Sequence, residues 1–272
     1  MGKMFLEKNC RLKDSVVWKL MRDFYCNEGH KAWLPGKTPQ LISSNPYTAY
    51  YYANVFIMYI KDLIAQKKIN TEEPIYLLEL GAGHGAFSFH CRKSLDSLCK
   101  KYNLTHLNFI YIMSDLSIKN VKTWKKHQQF LKWASEGKMD FSCIDLTLTF
   151  NEIPLEHSQL TISASNITNP LLIIANYIFD TLPDDRIYYK KDKFYLAQST
   201  ISINKKFFVN GKITHAKELN VELDFTELPC IESERSSINN SILNHYKCLD
   251  DNTYFQHPTY VIQLLNTLQN IS

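Results

Sequence analysis

Glycine is scarce in this chain, with 8 residues in 272, and there is no low-complexity tract or internal repeat. A flexible glycine-rich or collagen-like architecture is therefore excluded. No Cys-x-x-Cys pair occurs, and the seven cysteines (Cys10, Cys26, Cys91, Cys99, Cys143, Cys230 and Cys248) are odd in number. That argues against a disulfide framework and a zinc site, and for a reducing compartment. Long apolar runs are missing: the longest, Val55 to Ile60, stops at Lys61-Asp62, far short of a membrane span. The net charge is only +4, and lysines form nothing longer than pairs such as Lys125-Lys126 and Lys190-Lys191. A nucleic-acid footprint is not expected from that pattern. The start, Met1-Gly2-Lys3-Met4-Phe5-Leu6, lacks a signal-peptide apolar region, and Leu6 breaks the myristoylation pattern. These absences lead to the expectation of a cytoplasmic protein that binds neither membrane nor nucleic acid. A hydrophobic content of 45% suffices for a true core in a chain of this length.

Amphipathic periodicity predicts a helix over about 14–28, with Val17, Trp18, Met21, Phe24 and Tyr25 near one face and Gly29 as its stop. A loop rich in Pro and Gly follows, Trp33 to Pro39. A second helix is expected to open at Asn45-Pro46 and run to about Lys67, with Asn45 as N-cap and Pro46 in the first turn. Tyr47, Tyr50, Tyr51 and Tyr52 crowd its start, mostly as packing or surface residues. Strands then alternate with helices. The strands are expected at 75–80, Asn108–Met113, Asp140–Ile144 and Leu171–Ala175; the helices at 86–101 and from Ser117 to about Trp133. That order predicts right-handed crossovers and a parallel sheet. After Asp184 the pattern changes to hairpins. The first pairs Arg186–Tyr189 with Phe194–Ile203 about Lys191-Asp192-Lys193; the second pairs Phe207–Val209 with Ile213 about Asn210-Gly211. Helices at about 234–248 and 258–270 close the chain. The expected organisation is an N-terminal helical cap (1–70), a Rossmann-like α/β core (71–185) and a hairpin and helical region (186–272) of the same domain.

Three of the eight glycines fall in one short stretch, Ile75-Tyr76-Leu77-Leu78-Glu79-Leu80-Gly81-Ala82-Gly83-His84-Gly85. A buried strand ends in a tight turn there, where glycine permits positive φ and close approach of a ligand to the main chain. Glu79 stands at the strand's carboxyl end, where open α/β sheets bind ligands. Asp115, Asp145 and Asn176 follow the next three strands in register with it. The spacing resembles the first motif of class I S-adenosylmethionine (SAM)-dependent methyltransferases. It is not the G-x-G-x-x-G of dinucleotide enzymes, because the third glycine comes one residue early. The resemblance implies a SAM site built from Glu79, Gly81, Ala82, Gly83, Gly85, Asp115, Leu116, Asp145 and Asn176. Asp115 would take both ribose hydroxyls and Asp145 the adenine amino group, with Leu116 and Ile144 against the ring. His84 is expected to be a solvent-facing turn residue.

The run Asn169 to Pro183 contains Ala175-Asn176-Tyr177-Ile178-Phe179-Asp180-Thr181-Leu182-Pro183. It resembles the Asn-Glu-x-x-Asp-Ala-Leu-Pro segment of the MidA-like methyltransferases, with Tyr177 where that family has Glu. A nearer resemblance is to uncharacterised methyltransferase-like proteins of similar type, which also share stretches like Arg22-Asp23-Phe24-Tyr25, Gly29, Ala32-Trp33 and Ser44-Asn45-Pro46-Tyr47. The resemblance covers about residues 20–200. It implies that Asn176, Tyr177 and Asp180 face the methyl acceptor: Asn176 orients it, and Asp180 serves as a base or holds a cation. Tyr177 in place of Glu argues against a guanidinium acceptor, which calls for carboxylates.

Such a sheet has seven strands in the resembled class, and only four are legible here, so an incomplete sheet with an open edge available for association is expected. Three readings follow from these residues: a SAM-dependent methyltransferase acting on a protein or small-molecule acceptor, a SAM-binding partner protein without activity, and a Rossmann-like oxidoreductase, which the glycine spacing disfavours.

Overall fold

The computed structural model describes residues 2–34, 38, 42, 44–209, 212–214, 216–227, 237–246 and 252–271. The Pro35–Lys37 and Pro39 positions, the Asn210-Gly211 turn, Cys230 and Cys248 lie outside them. In chain order the helices and strands are β1 (Lys3–Arg11), α1 (Val16–Glu28), α2 (Pro46–Ala65), β2 (Ile75–Glu79), α3 (Ala86–Lys101), β3 (Phe109–Asp115), α4 (Ile118–Trp124), α5 (Gln128–Ser135), β4 (Met139–Cys143), β5 (Ile153–Pro154), β6 (Thr161–Ile162), β7 (Leu172–Ile174), β8 (Asp185–Lys190), β9 (Lys193–Asn204), β10 (Phe208–Val209), β11 (Lys212–Ile213), β12 (Asn220–Glu227), α6 (Ser237–Tyr246), β13 (Thr253–His257) and α7 (Thr259–Gln269). No helix among the described residues is long and apolar enough to cross a membrane. The chain divides into two compact units, Met1–Met21 with Leu182–Val261, and Arg22–Thr181 with Ile262–Ser272.

The second unit is the α/β body. Its parallel sheet has four strands in the order β4-β3-β2-β7, the four read from the sequence. The first of them, β2, is internal, with β3 and β4 to one side and β7 to the other. The strand order therefore reverses beside β2, and its carboxyl end is the place where such sheets hold ligands. Both faces of the sheet are covered, so β2 and β3 are buried almost throughout. Helices α2 and α3 pack on each other. Each carries a stripe at the same spacing, Ala49, Ala53, Ile57, Ile60 on α2 and Phe87, Cys91, Leu95, Leu98 on α3. The alanines let the backbones approach, and each large buried side chain contributes about 1.5–3 kcal/mol. Asn45 caps α2 as expected, its side chain accepting from the Thr48 N–H at 2.9 Å, and Pro46 occupies the first turn.

The single helix expected from Ser117 to Trp133 is two, α4 and α5, broken at Lys125–His127. The reason is packing. Trp124 and Trp133 are both buried, yet at about 100° per residue they would face opposite sides of one straight helix. The break turns both inward, and the His127 ring caps α5 by accepting from the Phe130 N–H at 3.4 Å. Ser117 makes no side-chain cap on α4.

The first unit is an antiparallel sheet that includes a strand, β1, where helices alone were expected. Strand β9 is its spine. Residues 198–202 of β9 pair with β1 on one side and β12 on the other, while Tyr195 and Leu196 pair with β8 and β12. Strands β1 and β8 therefore lie end to end along one side of β9. At their joint the fully buried Asp185 accepts from Arg11 Nη2 at 2.6 Å and Nε at 3.0 Å, and from Thr259 Oγ1 at 3.3 Å. The β8–β9 turn is the expected one, with Lys191 and Asp192 both at positive φ, the geometry that suits the twist of a tight hairpin.

Candidate functional site

Strand β2 delivers the chain into the glycine turn. Ala82 N–H donates to the Ser114 carbonyl at 2.8 Å and Ser114 Oγ to the Glu79 carbonyl at 2.7 Å, which locks the turn to β3. Gly81 and Gly83 have φ of +66° and +58°, in the left-handed region that any L side chain enters with strain. A Cβ on Gly81 would run into Ile178 Cδ1, and one on Gly83 would stand 2.8–2.9 Å from the Trp33 indole. At these two glycines the space that a side chain would need is taken by Ile178 and Trp33. Trp33 also stacks on His84, with ring centroids 5.8 Å apart, and lies 5.9 Å from Tyr25. His84 is thus a partly buried stacking residue rather than a solvent-facing one, and burial lowers its pKa. Trp124 Nε1 donates to the Gly83 carbonyl at 3.1 Å.

The acids at the strand ends have different surroundings. Glu79 is buried and accepts at Oε2 from Ser88 Oγ on α3 and from the Tyr111 hydroxyl at 2.8 Å on β3. Burial pushes its pKa up to about 7, against the pull of those two hydrogen bonds. Its carboxyl ties β2 to α3 and β3. Asp115 follows β3. Its Oδ2 accepts from Gly83 N–H at 2.9 Å and its Oδ1 from Ser117 N–H at 2.8 Å. Burial raises its pKa, opposed by those N–H groups and the Asn120 side chain. A carboxylate offers about four acceptor positions. Three donors already engage Asp115 and leave one acceptor position. Beyond it, Leu116 is half-buried, its carbonyl 3.6 Å from Cys143 Sγ.

Asp145 follows β4. Arg22 Nη2 donates to its Oδ2 at 2.5 Å, and Thr147 donates to Oδ1 from Oγ1 at 2.7 Å and from N–H at 3.1 Å. Burial works upward on its pKa, but the Arg22 and Thr147 hydrogen bonds outweigh it and the net direction is down. Arg22, Tyr25 and Trp33 were not among the expected site residues. The signal that pointed to them was the Arg22-to-Trp33 stretch of the family resemblance.

Past β7, Asn176 Oδ1 accepts from the Tyr52 hydroxyl of α2, which ties one tyrosine of the crowded cluster to the strand end. Tyr177 has φ of +52° and is 63% exposed. A non-glycine residue held there costs of order 1–3 kcal/mol. Ile178 turns inward onto Gly81, and Asp180 sits exposed in a short turn of helix, Phe179–Thr181. Among these strand ends, Gly83 and Asp115 share a direct hydrogen bond, Asp145 is held by Arg22 and Asn176 by Tyr52.

No family model and no curated protein matches the chain. Among solved structures, the chain is similar to an uncharacterized COG1565 superfamily protein from Burkholderia thailandensis at 10% identity and a TM-score of 0.46, covering 92% of this chain and 52% of that one. It is also similar to a COG1565 superfamily member from the same organism bound to S-adenosyl-homocysteine, at 14% identity and a TM-score of 0.43, covering 82% and 43%. A third, the DszA carbon methyltransferase, matches at 16% identity and a TM-score of 0.29, covering 49% and 27%. The chain therefore spans about half the length, or less, of these proteins.

Proposed function

We propose that this chain binds SAM at the carboxyl end of its parallel sheet and transfers the methyl group to a protein or small-molecule acceptor. The observation that carries the reading is Asp115. At the place where the strand order reverses, it fastens the glycine turn to the turn after β3 and keeps an acceptor position in reserve. The residues fit an adenosyl ligand. Asp115 takes a ribose hydroxyl, Asp145 takes the adenine amino group, and Leu116 flanks the base. When bound, SAM supplies an electrophilic methyl on a sulfonium that is already a good leaving group. The protein's part is then proximity and orientation. Asn176, held by Tyr52, orients the acceptor, the strained and exposed Tyr177 lies against it, and Asp180 receives its proton or pairs with its charge.

Calorimetric titration with SAM and S-adenosylhomocysteine tests this. Binding of both is expected, with NAD(H) giving none, and Asp115→Ala is expected to weaken both by about 1.5–3 kcal/mol, the scale of a hydrogen bond to a charged group. Alanine at Asn176 or Asp180 is expected to lower methyl transfer while leaving SAM affinity nearly unchanged. A protein that binds neither adenosyl ligand at millimolar concentration refutes the proposal.

A further inference from the structure

The segment Arg22–Trp33 passes over the ends of three of the four parallel strands, β2, β3 and β4. Arg22 meets Asp145 after β4, Ser117 Oγ after β3 donates to the Cys26 carbonyl at 3.5 Å, Lys119 Nζ donates to the Asn27 carbonyl at 2.6 Å, and Trp33 covers Gly83 after β2. The segment is fixed from below as well, since Gly29 and Ala32 are buried.

Asp145 is the point where this segment meets a residue of the sheet by charge. Its acceptor positions can be counted. Thr147 fills both positions of Oδ1 with its hydroxyl and its N–H, and Arg22 fills one of Oδ2. One position remains, on Oδ2, and its direction is set by where the guanidinium stands. Arg22 Nη1 also reaches Thr147 Oγ1 at 3.3 Å, so a single side chain aligns both partners. The carboxylate is only 17% exposed, and these donors favour its ionised form, which only accepts hydrogen bonds.

Resting on the SAM reading above, we infer that Arg22 is a positioning residue for base recognition: by orienting Asp145 it makes the site select a 6-aminopurine nucleoside over a 6-oxopurine one. An exocyclic amino group donates to the remaining Oδ2 position. An oxo group brings a second acceptor to the same place, where it is repelled. A site built to hydrogen-bond a ligand group rejects the analogue that lacks it far more strongly than an apolar pocket rejects a change of shape.

The test compares S-adenosylhomocysteine with its deaminated analogue, S-inosylhomocysteine, by calorimetry on the full chain. Wild type is expected to prefer the adenosyl ligand by roughly 10-fold or more. Arg22→Met is expected to weaken the adenosyl ligand and leave the inosyl ligand nearly unchanged, so that the preference collapses, and Arg22→Lys is expected to restore part of it. Equal weakening of both ligands would mean that Arg22 only holds the segment in place, and would overturn the inference while the SAM reading stands. An unchanged preference in Arg22→Met, or no preference in wild type, overturns it in the same way. A wild-type protein that binds neither ligand overturns the SAM reading, and the inference with it.

Discussion

Glu79 carries a free-energy cost that pH should expose. Its carboxyl titrates at about 7 instead of the ordinary 4.5 because it is buried. Below pH 4.5 it is protonated in both the folded and the unfolded chain and contributes nothing to pH dependence. Between 4.5 and about 7 the unfolded chain loses this proton and the folded chain keeps it, so stability falls as pH rises. Above about 7 the folded protein holds a buried carboxylate, and the full cost is present. At 1.36 kcal/mol per pH unit the difference amounts to about 3 kcal/mol. Glu79→Gln removes the titration and retains an oxygen that accepts from Ser88 and Tyr111. Urea unfolding of both proteins, followed by tryptophan fluorescence at about pH 5 and about pH 8, measures the effect. The variant is expected to be within about 1 kcal/mol of wild type at the lower pH and more stable by about 3 kcal/mol at the higher. Asp115, also raised by burial, leaves a residual slope of the same sign in both. A difference between the two proteins that does not change with pH refutes the reasoning.

Two pairs of substitutions probe the packing. Gly81→Ala places a methyl group on Ile178 at a positive φ and is expected to destabilise by about 1–3 kcal/mol. Combined with Ile178→Ala in chemical denaturation, the two changes are expected to cost less than the sum of the singles. Arg11→Met leaves the Asp185 carboxylate buried without its guanidinium and is expected to cost about 3–5 kcal/mol. Arg11→Met with Asp185→Asn together is expected to cost less than Arg11→Met alone, as read in thermal unfolding.

The parallel sheet was legible because its strands are buried on both faces and appear as short apolar runs closed by Glu79, Asp115, Asp145 and Asn176. The α3 boundaries were legible because Gly85 opens the helix and its stripe keeps helical period. Strand β1 was not, because its pairing with β9 shifts register twice, between Phe5 and Glu7 and between Glu7 and Cys10, with Asn9 at positive φ. Such bulges erase the two-residue alternation by which a strand is read. Strand β12 does alternate, with Val221, Leu223 and Phe225 between Asn220, Glu222 and Asp224, and that signal was available. In the site, the glycine turn could be read but the side chains packed against it could not. Ile178 and Trp33 are distant in sequence from Gly81 and Gly83, and no local pattern announces that they return there. Arg22 stood in the stretch that the family resemblance marked, but its partner Asp145, 123 residues away, could not be read from any local pattern.

The joint between β1 and β8 bears on when this protein becomes complete during synthesis. Arg11 and Asp185 are 174 residues apart, and Glu7 meets Ser199 across 192. Closing so large a loop must precede any reward from the contacts it makes, which slows folding. The stretch Arg22–Thr181 forms most of the other unit and leaves the ribosome before Asp185 does. The amino-terminal strand must therefore wait, with its Met4, Phe5 and Leu6 unpaired, until β9 has emerged. During that interval the strand is a ready partner for any exposed sheet edge, its own or a neighbour's. In synthesis of this chain, the docking of residues 3–11 cannot precede the emergence of β9.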